Sequence, residues 1–103
     1  MRRILLTALC ALAMQAVPAG QTASTVEIRN YRFIPETLKI PAGSTVTWTN
    51  ADDDVHTVMS TTGLFVSGAL DRGDHYTYQF TKPGTYKLAC SLHPQMAQTI
   101  VVE

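Results

Sequence analysis

The chain is short of cysteine, of long apolar runs, of excess positive charge and of helical periodicity. Only two of its 103 residues are cysteine, Cys10 and Cys90. Its greasiest stretch, Ile4 to Met14 within "MRRILLTALCALAMQAVPAG", is too short to cross a bilayer as a permanent helix. Basic and acidic residues number eight each. There is no basic stripe of the kind that neutralises a phosphate backbone, so nucleic acid is not an expected partner.

What the start does contain is ordered. Two arginines, an apolar core and then small residues form the sequence of a secretory signal peptide. Val17-Pro18-Ala19 predicts cleavage after Ala19. The chain then divides into a signal peptide, 1–19, and one domain, 20–103, that is periplasmic or otherwise exported. Cys10 leaves with the signal, and Leu9 before it makes a poor lipid-attachment context. The remainder holds six basic and eight acidic residues, and no stable membrane insertion is expected after processing. Cys90 is then left without an intramolecular partner. An unpaired thiol in an oxidising compartment needs to be buried or bound. A domain of this size without a disulfide draws its stability from its core or from a metal.

Beyond the signal, apolar residues recur with period two. Val26 and Ile28, Leu38 and Ile40, Val46 and Trp48, Tyr76, Tyr78 and Phe80, and Ile100 and Val102 alternate with polar residues, often threonine. A shorter, mixed stretch runs from Thr85 to Ala89. This is the pattern of half-buried strands. Pro41-Ala42-Gly43, Asn50-Ala51-Asp52, Thr62-Gly63, Asp71-Arg72-Gly73 and Lys82-Pro83-Gly84 fall between these runs and read as turns. The expected fold is all-β, a sandwich of two sheets. Met59 to Leu70 is too irregular for one strand and is expected to be a loop or short helical turn. Trp48, in phase with Val46, is expected in the core.

Residues 90–96, "CSLHPQM", place a thiol, an imidazole and a thioether at two-residue gaps. Taken singly, Cys90 would pass as a small buried hydrophobe, Met96 as core filling and His93 as surface. Together they form a soft donor set, and a sandwich can bring His56 beside them across 34 positions. Magnesium and calcium prefer oxygen, methionine is unusual on zinc, and iron–sulfur clusters generally use more cysteines. Copper fits best, because two histidines and a cysteine with a weak axial methionine form the blue-copper arrangement. His75, in "DRGDHYTYQF", reads as an exposed surface residue. Asp52-Asp53-Asp54 lacks the spacing of a calcium loop and reads as a solvated turn.

From about Thr25 to Glu103 the chain resembles the cupredoxins, the small blue copper proteins. The resemblance lies in "FIPETLKIPAGSTVTWTN", "DDDVHTV", "YTYQFTKPGTY" and "CSLHPQM". The two-residue gaps are similar to the short ligand loop of the amicyanin branch. The resemblance implies a Greek-key sandwich of about seven to eight strands. It also implies one copper ion cycling between Cu(II) and Cu(I), with His56, Cys90 and His93 as strong ligands and Met96 axial. Leu88 stands where many relatives have an aromatic residue, and "MAQT" follows where a glycine is common.

Four protein ligands leave no open position for substrate, so the expected role is that of a soluble one-electron carrier and not an enzyme. By the same resemblance, His93 would present its ring edge in an apolar patch. Redox protein partners would dock there, near His93 and Pro94, with Leu92 and Leu64 or Phe65 as further candidates. Such contacts are small and brief, and a monomer is expected. The rival readings are a module for copper storage, delivery or tolerance, and an apo domain that kept only the fold.

Overall fold

Period-two burial carries the architecture. In a computed structural model, which describes residues 22–103, Ser44, Val46, Trp48 and Asn50 face inward on one strand while Thr45, Thr47 and Thr49 do not. The described residues form eight strands and no helix: β1 Ala23–Arg29, β2 Arg32–Ile34, β3 Thr37–Ile40, β4 Ser44–Asn50, β5 Met59–Ser60, β6 His75–Phe80, β7 Gly84–Ala89 and β8 Ala97–Val102. They make two four-stranded sheets, ordered β2-β1-β4-β6 and β3-β8-β7-β5. The expected all-β sandwich is present, at the upper end of the expected strand number. The signal peptide expected at 1–19 lies outside the described residues.

Both sheets are mixed. β1 runs parallel to β4 with Val26 opposite Trp48, and β3 runs parallel to β8 with Leu38 opposite Ile100. Parallel neighbours cannot be joined by a tight hairpin. The chain meets this by crossing to the second sheet for β3 before returning as β4.

Val26, Ile28, Phe33, Val46, Trp48, Phe80, Leu88, Ile100 and Val102 fill the space between the sheets. Trp48 is fully buried, as expected, and its indole N–H donates to Gln98 Oε1 on β8 at 2.8 Å. The Gln98 amide nitrogen donates onward to the Pro35 carbonyl at 2.8 Å. This network explains a buried glutamine in the "MAQT" stretch, because an indole N–H without a partner is costly inside a core.

The segment after Met59 is not a helical turn. It is a loop closed by β-bridges, with Met59 opposite Val66 and His56 opposite Leu70. Its irregular spacing reflects one inward anchor. Phe65 is buried and stacks on Tyr78, with ring centroids 4.1 Å apart, and lies 6.2 Å from Trp48. Phe65 therefore closes the side of the sandwich where β6 forms the edge, and it does not belong to a surface patch. Leu64 is exposed beside Lys82 and Tyr86, near the start of β7 and away from His93.

Candidate metal centre

β7 and β8 pair antiparallel as far as Ala89 and Ala97. Cys90 is the next residue after β7 and Met96 the last before β8, so the register sets the two sulfur residues across from each other. The five residues between them are turned back by hydrogen bonds from the His93 N–H to the Cys90 carbonyl, 3.3 Å, and from the Met96 N–H to the His93 carbonyl, 2.9 Å. Pro94, lacking an N–H, sits at the exposed tip without leaving an orphan donor.

His56 arrives on the stretch between β4 and β5. Its backbone exchanges two hydrogen bonds with Leu70, at 3.1 and 2.8 Å, which fix the strand-like stretch that carries it. The result is a triad. His56 Nδ1 lies 3.8 Å and His93 Nδ1 3.6 Å from Cys90 Sγ, and the donor atoms of the three residues all fall within 4.8 Å of one another. His56 and Cys90 are fully buried, Met96 is 2% exposed, and the His93 side chain keeps 22% of its surface in solvent. Both imidazoles turn the same nitrogen toward the sulfur.

The sulfur is held as well as surrounded. The Thr57 N–H points at Cys90 Sγ at 3.3 Å. Thr57 Oγ1 accepts the Ser91 N–H at 2.8 Å and lies 2.9 Å from the Ser91 hydroxyl, tying the histidine strand to the cysteine loop. Burial pushes the Cys90 thiol up. The Thr57 amide, the His93 ring and the Leu92 and His93 amides outweigh that, and its pKa falls below the ordinary cysteine value. A lowered thiol pKa favours the thiolate, the form that binds metal.

Away from the sulfur, each histidine meets a carboxylate. His56 Nε2–H donates to Asp52 Oδ2 at 2.9 Å. Such a bond selects the tautomer that leaves Nδ1 free as a ligand. Asp52 also accepts the Asn30 and Tyr31 N–H groups, at 2.7 and 2.9 Å. Burial raises its pKa, but those two amides and His56 lower it further, and the net shift is downward. Asp52 is therefore a buried-facing anchor and not the solvated residue expected, although Asp53 and Asp54 are exposed. Asn50, fully buried, donates to the Asp54 and Leu70 carbonyls and accepts the Asp52 N–H, which fixes the loop from beneath.

Asn30 and Tyr31 form the two-residue turn between β1 and β2, with φ of +55° and +60°. Two left-handed residues in succession suit a hairpin turn, but the second position ordinarily takes glycine. A tyrosine there is an outlier, at a cost on the order of 1 kcal/mol or more. The Tyr31 ring stands edge-on to both imidazoles, 5.2 Å from His56 and 4.9 Å from His93.

The four residues expected as ligands thus divide as follows. His56, Cys90 and His93 are brought together, and Met96 stands at the adjoining strand end. His75 is exposed at the start of β6, outside the cluster, as expected. Asp52, Thr57, Asn50 and Tyr31 were not expected to serve the site. The spacing of Asp52 four residues before His56 is the one signal that pointed to any of them.

Comparison with known sequences and structures shows the family. Residues 2–102 match the family model described as a cupredoxin-like domain. The chain belongs to the cupredoxin family. This cupredoxin is 39% identical over 96 residues to amicyanin-alpha of Methylorubrum extorquens, covering 88% of this chain and 79% of that protein. It is 31% identical over 93 residues to amicyanin of Paracoccus denitrificans, covering 85% and 71%. Among solved structures it is similar to a purple cupredoxin from Nitrosopumilus maritimus, with TM-score 0.73, 33% identity, and coverage of 78% of this chain and 99% of that one. A Cu(I) amicyanin variant superposes with TM-score 0.75 at 29% identity, covering 79% and 82%. The amicyanin-like resemblance expected from the ligand loop is borne out by the amicyanins among these relatives.

Proposed function

We propose that this protein is a mononuclear blue-copper carrier of single electrons, working in the periplasm or elsewhere outside the cytoplasm. The observation that carries the proposal is the convergence of two imidazole Nδ1 atoms on one buried cysteine sulfur. The donor set fits copper: the nitrogens and sulfur converge, while the nearest carboxylates, Asp52 and Asp54, lie on the Nε2 sides of the rings. Hard oxygen-seeking ions are poorly served there.

His56, Cys90 and His93 would be the strong ligands and Met96 the weak axial one. Copper held there would supply one-electron chemistry. The chain's own contribution is a rigid donor cage, a sulfur bonded by Thr57, and burial that excludes water. With all four donors supplied by protein, no position is left for substrate, which favours a carrier over an enzyme.

His93 is the half-buried ligand, and exposed Leu92 and Pro94 flank it. We place the docking surface for redox proteins on this patch, with Tyr31 as a further exposed apolar member. Leu64 and Phe65 are removed from the patch by their positions in the fold. Among the described residues no helix is long and apolar enough to cross a membrane, and the acting form is proposed to be a monomer released from its signal peptide.

The test is voltammetry of the copper-loaded protein together with copper exchange to a chelator. A reversible one-electron couple with slow metal loss supports the carrier. Irreversible response with rapid exchange would favour copper storage or delivery.

A further inference from the structure

The turn that carries Tyr31 lies at the metal centre although neither of its residues belongs to the donor set. We infer that Tyr31 is a positioning residue: a wedge, held in an unfavourable backbone conformation, that fixes the planes of both imidazoles from outside the donor set. For its effect on metal retention the inference rests on the copper reading above. For its effect on the rings it does not.

Two independent features converge on this residue. Its backbone has φ +60°, where glycine would be usual. An outlier of this kind persists only when its surroundings over-determine it. Its ring is perpendicular to both imidazoles, at 88° in each case, so its edges and face limit rotation of His56 and His93 together. The two imidazoles also meet each other, with centroids 4.8 Å apart, so the three rings form one cluster.

The polar contacts make the wedge part of a circuit. His56 Nε2–H donates to Asp52 Oδ2, and that same oxygen accepts the Tyr31 N–H. At its far end the Tyr31 hydroxyl donates to Asp54 Oδ2. That oxygen lies 3.9 Å from His93 Nε2, beyond hydrogen-bond length but on the solvent side of the ring. Hydrogen bonds therefore run from His56 through Asp52 and Tyr31 to Asp54, which stands beside the His93 ring, and the path includes no donor to the metal. His56 is held by buried contacts already. His93, partly in solvent and on a short loop, is the ring with most to lose.

The consequence is preorganisation. A donor ring held in its binding orientation before metal arrives loses less freedom on binding. Replacing Tyr31 would free His93 while relieving the turn, so the site would loosen without the fold weakening. A residue that merely stabilised the turn would do the opposite.

The experiment uses Tyr31→Gly and Tyr31→Asn, both tolerant of a left-handed backbone, with Tyr31→Phe to keep the ring and remove its hydroxyl tether. In the metal-free protein, NMR relaxation and side-chain couplings report the mobility of the His93 ring. In the copper-loaded protein, loss of Cu(I) to a chelator reports retention. The expected result is a fixed His93 ring in the parent and averaged rotamers in the Gly and Asn variants, with thermal midpoints no lower than the parent's. Cu(I) loss should be about tenfold faster in both, and intermediate in Tyr31→Phe. A His93 ring as fixed in either folded variant as in the parent overturns the inference. Loosened rings with Cu(I) loss within twofold of the parent overturn its bearing on retention. If the parent itself binds no copper, the copper reading fails, and the metal-free measurement still decides whether Tyr31 fixes the rings.

Discussion

The Thr57 amide lies 3.3 Å from the Cys90 sulfur, although 33 positions separate the residues in the chain. That contact joins the histidine-bearing stretch to the cysteine loop at the point where the donors meet. Thr57 Oγ1 doubles the join through the Ser91 amide. Thr57→Val keeps the shape and the backbone donor but removes that oxygen, leaving the Ser91 N–H without its acceptor. The expected cost is about 0.5–1.5 kcal/mol, read as a lowered urea midpoint of the metal-free protein with an unchanged denaturant slope.

Asp52 contributes a pH-dependent share of stability. Its folded pKa lies below the ordinary value of 3.8, because two amides and His56 favour the carboxylate over the opposing effect of burial. A depressed carboxylate stabilises the fold fully above its unfolded pKa, and this share is lost as pH falls through the folded value. Denaturant unfolding of the metal-free parent and Asp52→Asn should therefore differ most near neutral pH. The difference should shrink as pH drops below about 4, near the unfolded carboxylate pKa. A difference that grew on acidification would contradict the role given to Asp52.

Pro94 withholds an N–H from the sulfur-bearing loop. Pro94→Ala restores a donor near Cys90, and a hydrogen bond to the sulfur draws electron density from it and favours the reduced metal. The reduction potential of the copper-loaded variant should rise by tens of mV, on a scale where tenfold in equilibrium is about 59 mV for one electron. An unchanged potential would show that this position tunes nothing.

Phe65 is packed on Tyr78 and Trp48. Phe65→Ala should cost about 3–5 kcal/mol of stability and leave the optical spectrum of the copper-loaded protein in place. A large change in electron exchange with a redox partner, at unaltered stability, would return Phe65 to the docking patch.

Much of this was legible in the chain. Period two exposed the strands of the core because each has one inward face, as Val46 and Trp48 show. β2 and β5 are three and two residues long, too short for any period to register. Phe65 was misplaced for a related reason: a single inward residue in a loop has no pattern. The donor loop could be read because Cys90, His93 and Met96 are close in the chain and chemically matched. What holds the donors could not. Asp52 resembles a solvated turn until the Asn30–Tyr31 turn folds over it. Tyr31 looks like any strand-end aromatic until its backbone angle is seen.

The central claim is that one copper ion binds through the Cys90 sulfur, and optical and spin-resonance titration with Cu(II) tests it most directly, with Cys90→Ser alongside. Intense visible sulfur-to-copper absorption, saturating at one equivalent and absent from the serine variant, is the predicted result. A colourless parent, or colour that survives in Cys90→Ser, would contradict it.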